Sequence, residues 1–111
     1  MVKRNFSIEQ IARDVIHFLS PHVHVDRLIL FGSYADGSNG EDSDIDLAII
    51  SSDFEKMKVM EKIDLLSRVP LAVDSRIEAL GFATKDFLKP AMPSLLDVIK
   101  RKGKALFVRQ S

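Results

Sequence analysis

FGSYADGSNGEDSDIDLAII, residues 31–50, sets glycines, serines and five acids between two apolar runs. A connecting loop needs turn residues, but it has no need of Asp44 and Asp46 at the head of the next strand. On a strand, side chains two apart share a face and lie about 6.5–7 Å apart. Asp44 and Asp46 are therefore expected to project together, with Ile45 and Leu47 turned into the core. Two close carboxylates repel and raise each other's pKa unless a cation lies between them. Hard divalent cations, Mg²⁺ above all, take such oxygen ligands and keep positions open for phosphate oxygens. A bare D-x-D is also a common start for a solvent-facing strand, so the pair alone decides nothing.

Gly32-Ser33, at the end of the preceding apolar run, changes the reading. A glycine there lets backbone approach a ligand, and a helix opening after it offers unpaired N–H groups to an anion. Ser33 adds a hydroxyl donor. An anion cradle and a carboxylate pair on adjacent strands are what nucleoside triphosphate chemistry requires.

Outward from this stretch the chain reads as alternating helices and strands. Ser7 with Gln10 has the spacing of a capping box, and Ile8, Ile11, Ala12, Val15, Ile16 and Leu19 follow at helical intervals. RLILF (27–31) and DIDLAII (44–50) read as strands. Phe54, Met57, Met60, Ile63 and Leu66 suggest one helix over 53–69, ended by Pro70. LAVDSRIEAL (71–80) alternates as a third strand. Thr84 is placed to cap a short turn reaching Leu88, Pro93-Ser94 to open a last helix ending near Lys102-Gly103, and ALFV (105–108) to add an edge strand. The order predicts an α/β (α+β) fold, a small mixed sheet flanked by helices.

The whole chain bounds the rest. Its 111 residues suit one domain, 1–111, and 46% hydrophobic content suits a globular one. Sixteen acids balance sixteen bases, so no global field attracts nucleic acid, which is not an expected partner. The absence of cysteine excludes disulfides and thiolate metal sites. The N-terminus lacks the apolar run of a signal peptide and no stretch approaches a membrane span, so no membrane association and a soluble, cytoplasmic protein are expected. His17, His22 and His24 lack a third ligand at sensible spacing and read as surface or capping residues. Met57 and Met60 read as core packing. KRKGK (100–104) reads as cations complementing a helix C-terminus.

Gly32-Ser33, ten intervening residues, and then Asp44-Ile45-Asp46-Leu47 resemble the signature of the polymerase-β-like nucleotidyltransferase superfamily. With Ala35, Gly37 and Ser43-Asp44, the string is similar to the minimal nucleotidyltransferases, stand-alone domains of about this length. The resemblance runs from the first helix to IKRKGKALFV. It implies that Asp44 and Asp46 hold two Mg²⁺ ions against the triphosphate of ATP, and that Gly32 and Ser33 hold its β- and γ-phosphates. It also implies a third carboxylate on a later strand. Asp74 matches that position, to share a metal and help deprotonate the acceptor, with Glu78 as the fallback. Many members place a basic residue before the second glycine, where this chain has Asp36-Gly37; an acid there would weaken triphosphate binding unless it turns away.

Three functions stay open on these residues. The first is AMP transfer from ATP to a hydroxyl, the resemblance implying a tyrosine of a HEPN-type helical protein in a toxin–antitoxin pair. The second is small-molecule transfer of the aminoglycoside type, which usually needs a further helical domain. The third is a catalytically weak module that neutralises its partner by contact.

Overall fold

The computed structural model describes residues 7–40, 42–89 and 92–110. The first helix, α1 (Ile8–Leu19), begins where Ser7 Oγ accepts the Gln10 N–H, and it buries Ile11, Ala12, Val15 and Leu19. Only the serine half of the expected capping box forms. Gln10 instead turns outward, donating to Asp14 and accepting from Arg13.

Strand β1 (Arg27–Phe31) leads through Gly32 into a single helical turn, α2 (Ser33–Asp36), and then into β2 (Ile45–Ile50). Beyond β2 come a 3₁₀ turn at Ser52–Glu55, α3 (Val59–Ser67), α4 (Val69–Ala72), and β3 (Ile77–Phe82). Then α5 (Thr84–Leu88), α6 (Leu95–Lys102) and β4 (Lys104–Val108) complete the described chain. The strands form one mixed sheet in the order β3-β2-β1-β4, with β2 parallel to β3 and β1 antiparallel to both its neighbours.

The period-two alternation of the strands divides the core between the faces of this sheet. Leu28, Leu30, Ile45, Leu47, Ile49 and Ile77 meet α1, Leu65, Leu66 and Val69 on one face. Ile29, Ala48 and Ile50 meet Ile99 of α6 on the other. β2 is buried on both sides, which is why LAII reads as an unbroken apolar run. The architecture is therefore three-layered around a small mixed sheet.

Three local expectations are corrected. The segment 53–69 is not one helix: it breaks into the 3₁₀ turn and α3, and Pro70 sits in the first turn of α4, where its missing N–H costs nothing. Residues 71–80 are not one strand either, since Leu71 and Ala72 finish α4 and β3 starts only at Ile77. Thr84 does not cap α5, whose N-cap is Ala83. Its hydroxyl donates to Asp26 Oδ2 at 2.6 Å, beside the Ser52 N–H at 3.0 Å. No helix of the described residues is long and apolar enough to cross a membrane.

Candidate nucleotide site

The site forms where β1 ends and β2 and β3 begin. Gly32 has φ +74° and ψ −152°, a region that residues with a Cβ essentially do not enter. A Cβ at Gly32 would also collide with the Asp46 carboxylate, so the glycine is what lets that side chain lie against the backbone. The sharp turn swings the chain into α2, whose first N–H groups point outward without intrahelical acceptors. Gly37, at φ +83°, closes the turn by donating to the Ser33 carbonyl.

Asp36 lies beyond the cradle, fully exposed, and its Oδ1 accepts from Ser38 N at 2.9 Å and Ser38 Oγ at 2.6 Å. These bonds, the hydroxyl's first, hold its pKa below the usual carboxylate range; Lys102 at the end of α6 adds a weaker pull. The unexpected acid is thus engaged with its own turn.

Asp44 is exposed, just ahead of β2, while Asp46 is half-buried on the strand. In the parallel register Asp46 faces Glu78, about 4.8 Å away between strands, and paired residues share a face of the sheet. Burial pushes the Asp46 carboxyl above its ordinary range, and the charges of Glu78 and Asp44 push it further. Three acids thus gather here with mutual repulsion.

Asp74 is not on the strand expected for it. It lies in the turn before β3, its side chain only 14% exposed, and it grips Arg76 with both oxygens. Arg76 Nε donates to Oδ1 at 3.1 Å, Nη2 to Oδ2 at 2.9 Å, and the Arg76 N–H to Oδ1 at 2.9 Å. Glu78, the fallback, does lie on that strand. The structure brings Asp44, Asp46 and Glu78 together beside Gly32, and leaves Asp74 engaged elsewhere.

Among the described residues no three His, Asp or Glu side chains stand as a ready metal cage. The donor chemistry nevertheless fits a hard cation. All three acids offer oxygen, the surroundings of Asp46 disfavour its charge, and a divalent ion would relieve that repulsion while side chains adjust around it. His24 is not part of this site, since its N–H and Nδ1 both meet Asp53 Oδ2, at 2.8 Å and 3.2 Å.

Sequence reasoning missed Arg76 and Tyr34. The Arg76 guanidinium is held by Asp74, whose hydrogen bonds and charge push its pKa above the ordinary range, with Tyr34 adding a weaker effect. The signal was present in D-S-R, an Asp two residues before an Arg at a turn, the spacing at which an aspartate caps a backbone N–H.

The mixed sheet, the glycine-serine turn and the gathered acids define a nucleotidyl-transfer scaffold, and the comparisons agree. The family model described as "Polymerase beta, Nucleotidyltransferase" matches residues 13–111. The chain belongs to this nucleotidyltransferase family. It is 31% identical over 97 residues to "Putative protein adenylyltransferase MJ0141" of Methanocaldococcus jannaschii, covering 86% of this chain and 91% of that protein. Its fold is similar to that of a protein described as "a putative nucleotidyltransferase from Sulfolobus solfataricus", with TM-score 0.67, 17% identity, and coverage of 92% of this chain and 81% of that one. It is also similar to a chain in a toxin–antitoxin crystal structure with AMP-PNP (TM-score 0.63, 23% identity, 94% and 76% covered). A complex of tri-AMPylated Shewanella oneidensis HEPN toxin with MNT antitoxin gives TM-score 0.60 at 22% identity, with 92% and 74% covered.

Proposed function

We propose that this nucleotidyltransferase moves AMP from ATP to a protein hydroxyl, a tyrosine of a HEPN-type helical partner, as the antitoxin half of a toxin–antitoxin pair. The observation that carries the reading is the meeting of Asp46 with Glu78 and Asp44 beside Gly32, with the Asp46 pKa raised by that company. The likeness to a protein described as an adenylyltransferase supports adenylyl transfer to protein. The structural neighbours that pair MNT with HEPN support the kind of partner.

Asp44 and Asp46 would hold Mg²⁺, two ions in the fullest form of the site, with Glu78 in place of Asp74 as third carboxylate. Bound there, the metal would neutralise triphosphate charge and polarise the phosphoryl oxygens. The α2 N–H groups and the Ser33 hydroxyl would hold the β- and γ-phosphates. Glu78, exposed on the edge strand, would accept the proton of the attacking hydroxyl, help worth about 10²–10⁴-fold in rate. A bond forms between the acceptor oxygen and the α-phosphorus, the bond from that phosphorus to the β-phosphate oxygen breaks, and pyrophosphate leaves.

An apolar groove of about 600 Å³ runs beside Glu78, between α3 and the β3 edge, lined by Val59, Ile63, Leu80 and Leu95. Exposed apolar surface continuous with a site suits a macromolecular acceptor better than a small polar one. Asp36, the acid expected to weaken triphosphate binding unless it turned away, is turned to Ser38.

Incubation with a HEPN-type helical protein encoded beside it, where the neighbouring gene supplies one, ATP and Mg²⁺ should add whole adenylates to that partner, read by intact mass. Asp44→Asn with Asp46→Asn should abolish the modification and metal-dependent ATP binding while leaving the far-UV circular dichroism unchanged. An unmodified partner beside an adenylated small molecule would place the protein among small-molecule transferases. A tight complex with nothing adenylated would make it a neutraliser by contact.

A further inference from the structure

The basic run KRKGK (100–104) closes α6 and opens β4, and the end of a helix accounts for only part of it. Lys100, Arg101 and Lys102 lie in the last turn, where cations complement the helix dipole. Lys104 lies beyond the helix, on β4. Lys100 and Arg101 are engaged: Lys100 Nζ donates to the Lys89 carbonyl at 3.0 Å, and Arg101 Nε to Asp97 Oδ2 at 3.1 Å. Lys102 and Lys104 are exposed, and neither makes an ion pair with another described residue.

Gly103 carries these two lysines to the nucleotide site. Its N–H ends the helix by donating to the Ile99 carbonyl at 2.9 Å, and the chain then passes directly against β1. A Cβ at Gly103 would collide with the Ile29 side chain and the Ile99 carbonyl, and would crowd the Leu30 carbonyl. Its φ of −73° is open to any residue, so this glycine serves close approach alone.

β4 runs antiparallel to β1 with Lys104 opposite Leu30, two residues before Gly32. With strands about 4.8 Å apart and a rise of about 3.4 Å per residue, the Lys104 Cα lies about 8 Å from that of Gly32. Paired residues share a face of the sheet, and Leu30 belongs to the face on which Tyr34 and Ala35 of α2 pack. Lys102, two residues earlier in the antiparallel run, lies towards the Gly32 end, and its charge is felt at Asp36, the last residue of α2. Both side chains carry their charge on flexible four-carbon stems.

The acids stand on β2 and β3, and these lysines stand across β1 from them. Metal held by Asp44 and Asp46 would offset charge on the acidic side only. We propose that Lys102 and Lys104 form the opposite, cationic wall of the nucleotide site, their ammonium groups binding the β- and γ-phosphates and the pyrophosphate that leaves. This deepens the nucleotidyl-transfer reading above and rests on it. Fixed cations there act where negative charge grows as the bond to the α-phosphorus breaks.

Both positions are exposed, so glutamine at either leaves the fold intact, which far-UV circular dichroism checks. Titration with Mg-ATP and, separately, with AMP distinguishes the phosphate tail from the rest of the nucleotide. Lys102→Gln and Lys104→Gln should each weaken Mg-ATP binding about three- to tenfold, between an exposed ion pair and a charge-assisted hydrogen bond. AMP affinity should not change. Arginine at either position should restore Mg-ATP binding, and added salt should weaken it more in the parent than in the double glutamine variant.

An equal loss of Mg-ATP and AMP affinity overturns the proposal, because the lysines would then shape the site without gripping its phosphates. Unchanged Mg-ATP affinity in the double variant, beside a parent that binds, overturns it too: the basic run then serves the end of α6 alone, and the nucleotide reading stands. A parent that binds no Mg-ATP removes the nucleotide reading itself, and the cationic wall with it.

Discussion

Asp46 is held where its charge is unwelcome. Burial, Glu78 and Asp44 all favour its protonated form, in that order, so the folded state binds this proton more strongly than the unfolded chain does. Between the ordinary Asp value and the raised one, the folded protein carries the extra proton, and stability falls as pH rises through that window. Above the window the cost is constant and fully present. Asp46→Asn should therefore raise the metal-free Tm at pH 7, and the gain should vanish on acidification towards the ordinary Asp value of about 3.9. With Mg-ATP added at pH 7 the order should reverse, because only the parent binds the metal complex. Thermal unfolding at the two pH values reads both effects. A metal-free parent as stable as Asp46→Asn at pH 7 would mean that the gathered acids cost the fold nothing.

At the scale of elements, the motif was legible because its constraints are local. A glycine that must turn with positive φ, and acids alternating with core residues on a strand, leave marks within a few positions. The segment between β2 and β3 was not legible in the same way. Phe54, Met57, Met60, Ile63 and Leu66 recur every three residues, and at 3.6 residues per turn each such step slips about 60° around a helix. The stripe therefore winds off any single face: Phe54 and Leu66 are buried, while Met60 and Ile63 are 72% and 51% exposed. The third strand misled for a different reason, since the alternation of Leu71 and Val73 preceded a turn built by Asp74, and only the pairing of Ile77 with Ile45 marks where the strand begins.

That misfit has a use at the same scale. Leu66 sits under α3 against Gly81, where a Cβ would come within 2.7 Å of its Cδ1, so the glycine makes room for the helix to dock on β3. Leu66→Ala should cost about 2–5 kcal/mol of stability, read by denaturant unfolding. Met60→Lys with Ile63→Lys, on the exposed side, should stay within about 0.5 kcal/mol per substitution. The same pair should slow partner adenylation while leaving Mg-ATP affinity unchanged, since both residues lie outside the cradle. Full partner modification by this double variant would mean that the acceptor docks elsewhere.

At the scale of the whole molecule, the site is open by construction. A chain of 111 residues buries only roughly two thirds of its unfolded surface, which leaves little to wall off a reaction. Asp44 and Glu78 are exposed, and Asp46 is half-buried. An α-phosphorus held there would face water from the side on which an acceptor must arrive. In-line transfer gains its speed from holding the attacking oxygen in place and keeping solvent out, and the acids and cradle supply neither alone. On the proposed function, a docked acceptor protein would supply both, and would be part of the active site as well as its substrate. Pyrophosphate release from Mg-ATP should accordingly be slow with this protein alone. It should rise when the partner is added, and match one for one the adenylates found on that partner. Replacing the proposed acceptor tyrosine by phenylalanine should keep the complex and return the release to its slow basal rate, which separates loss of the acceptor from loss of docking. Rapid ATP turnover without the partner would mean that the open cleft already excludes water, and that docking adds only a substrate.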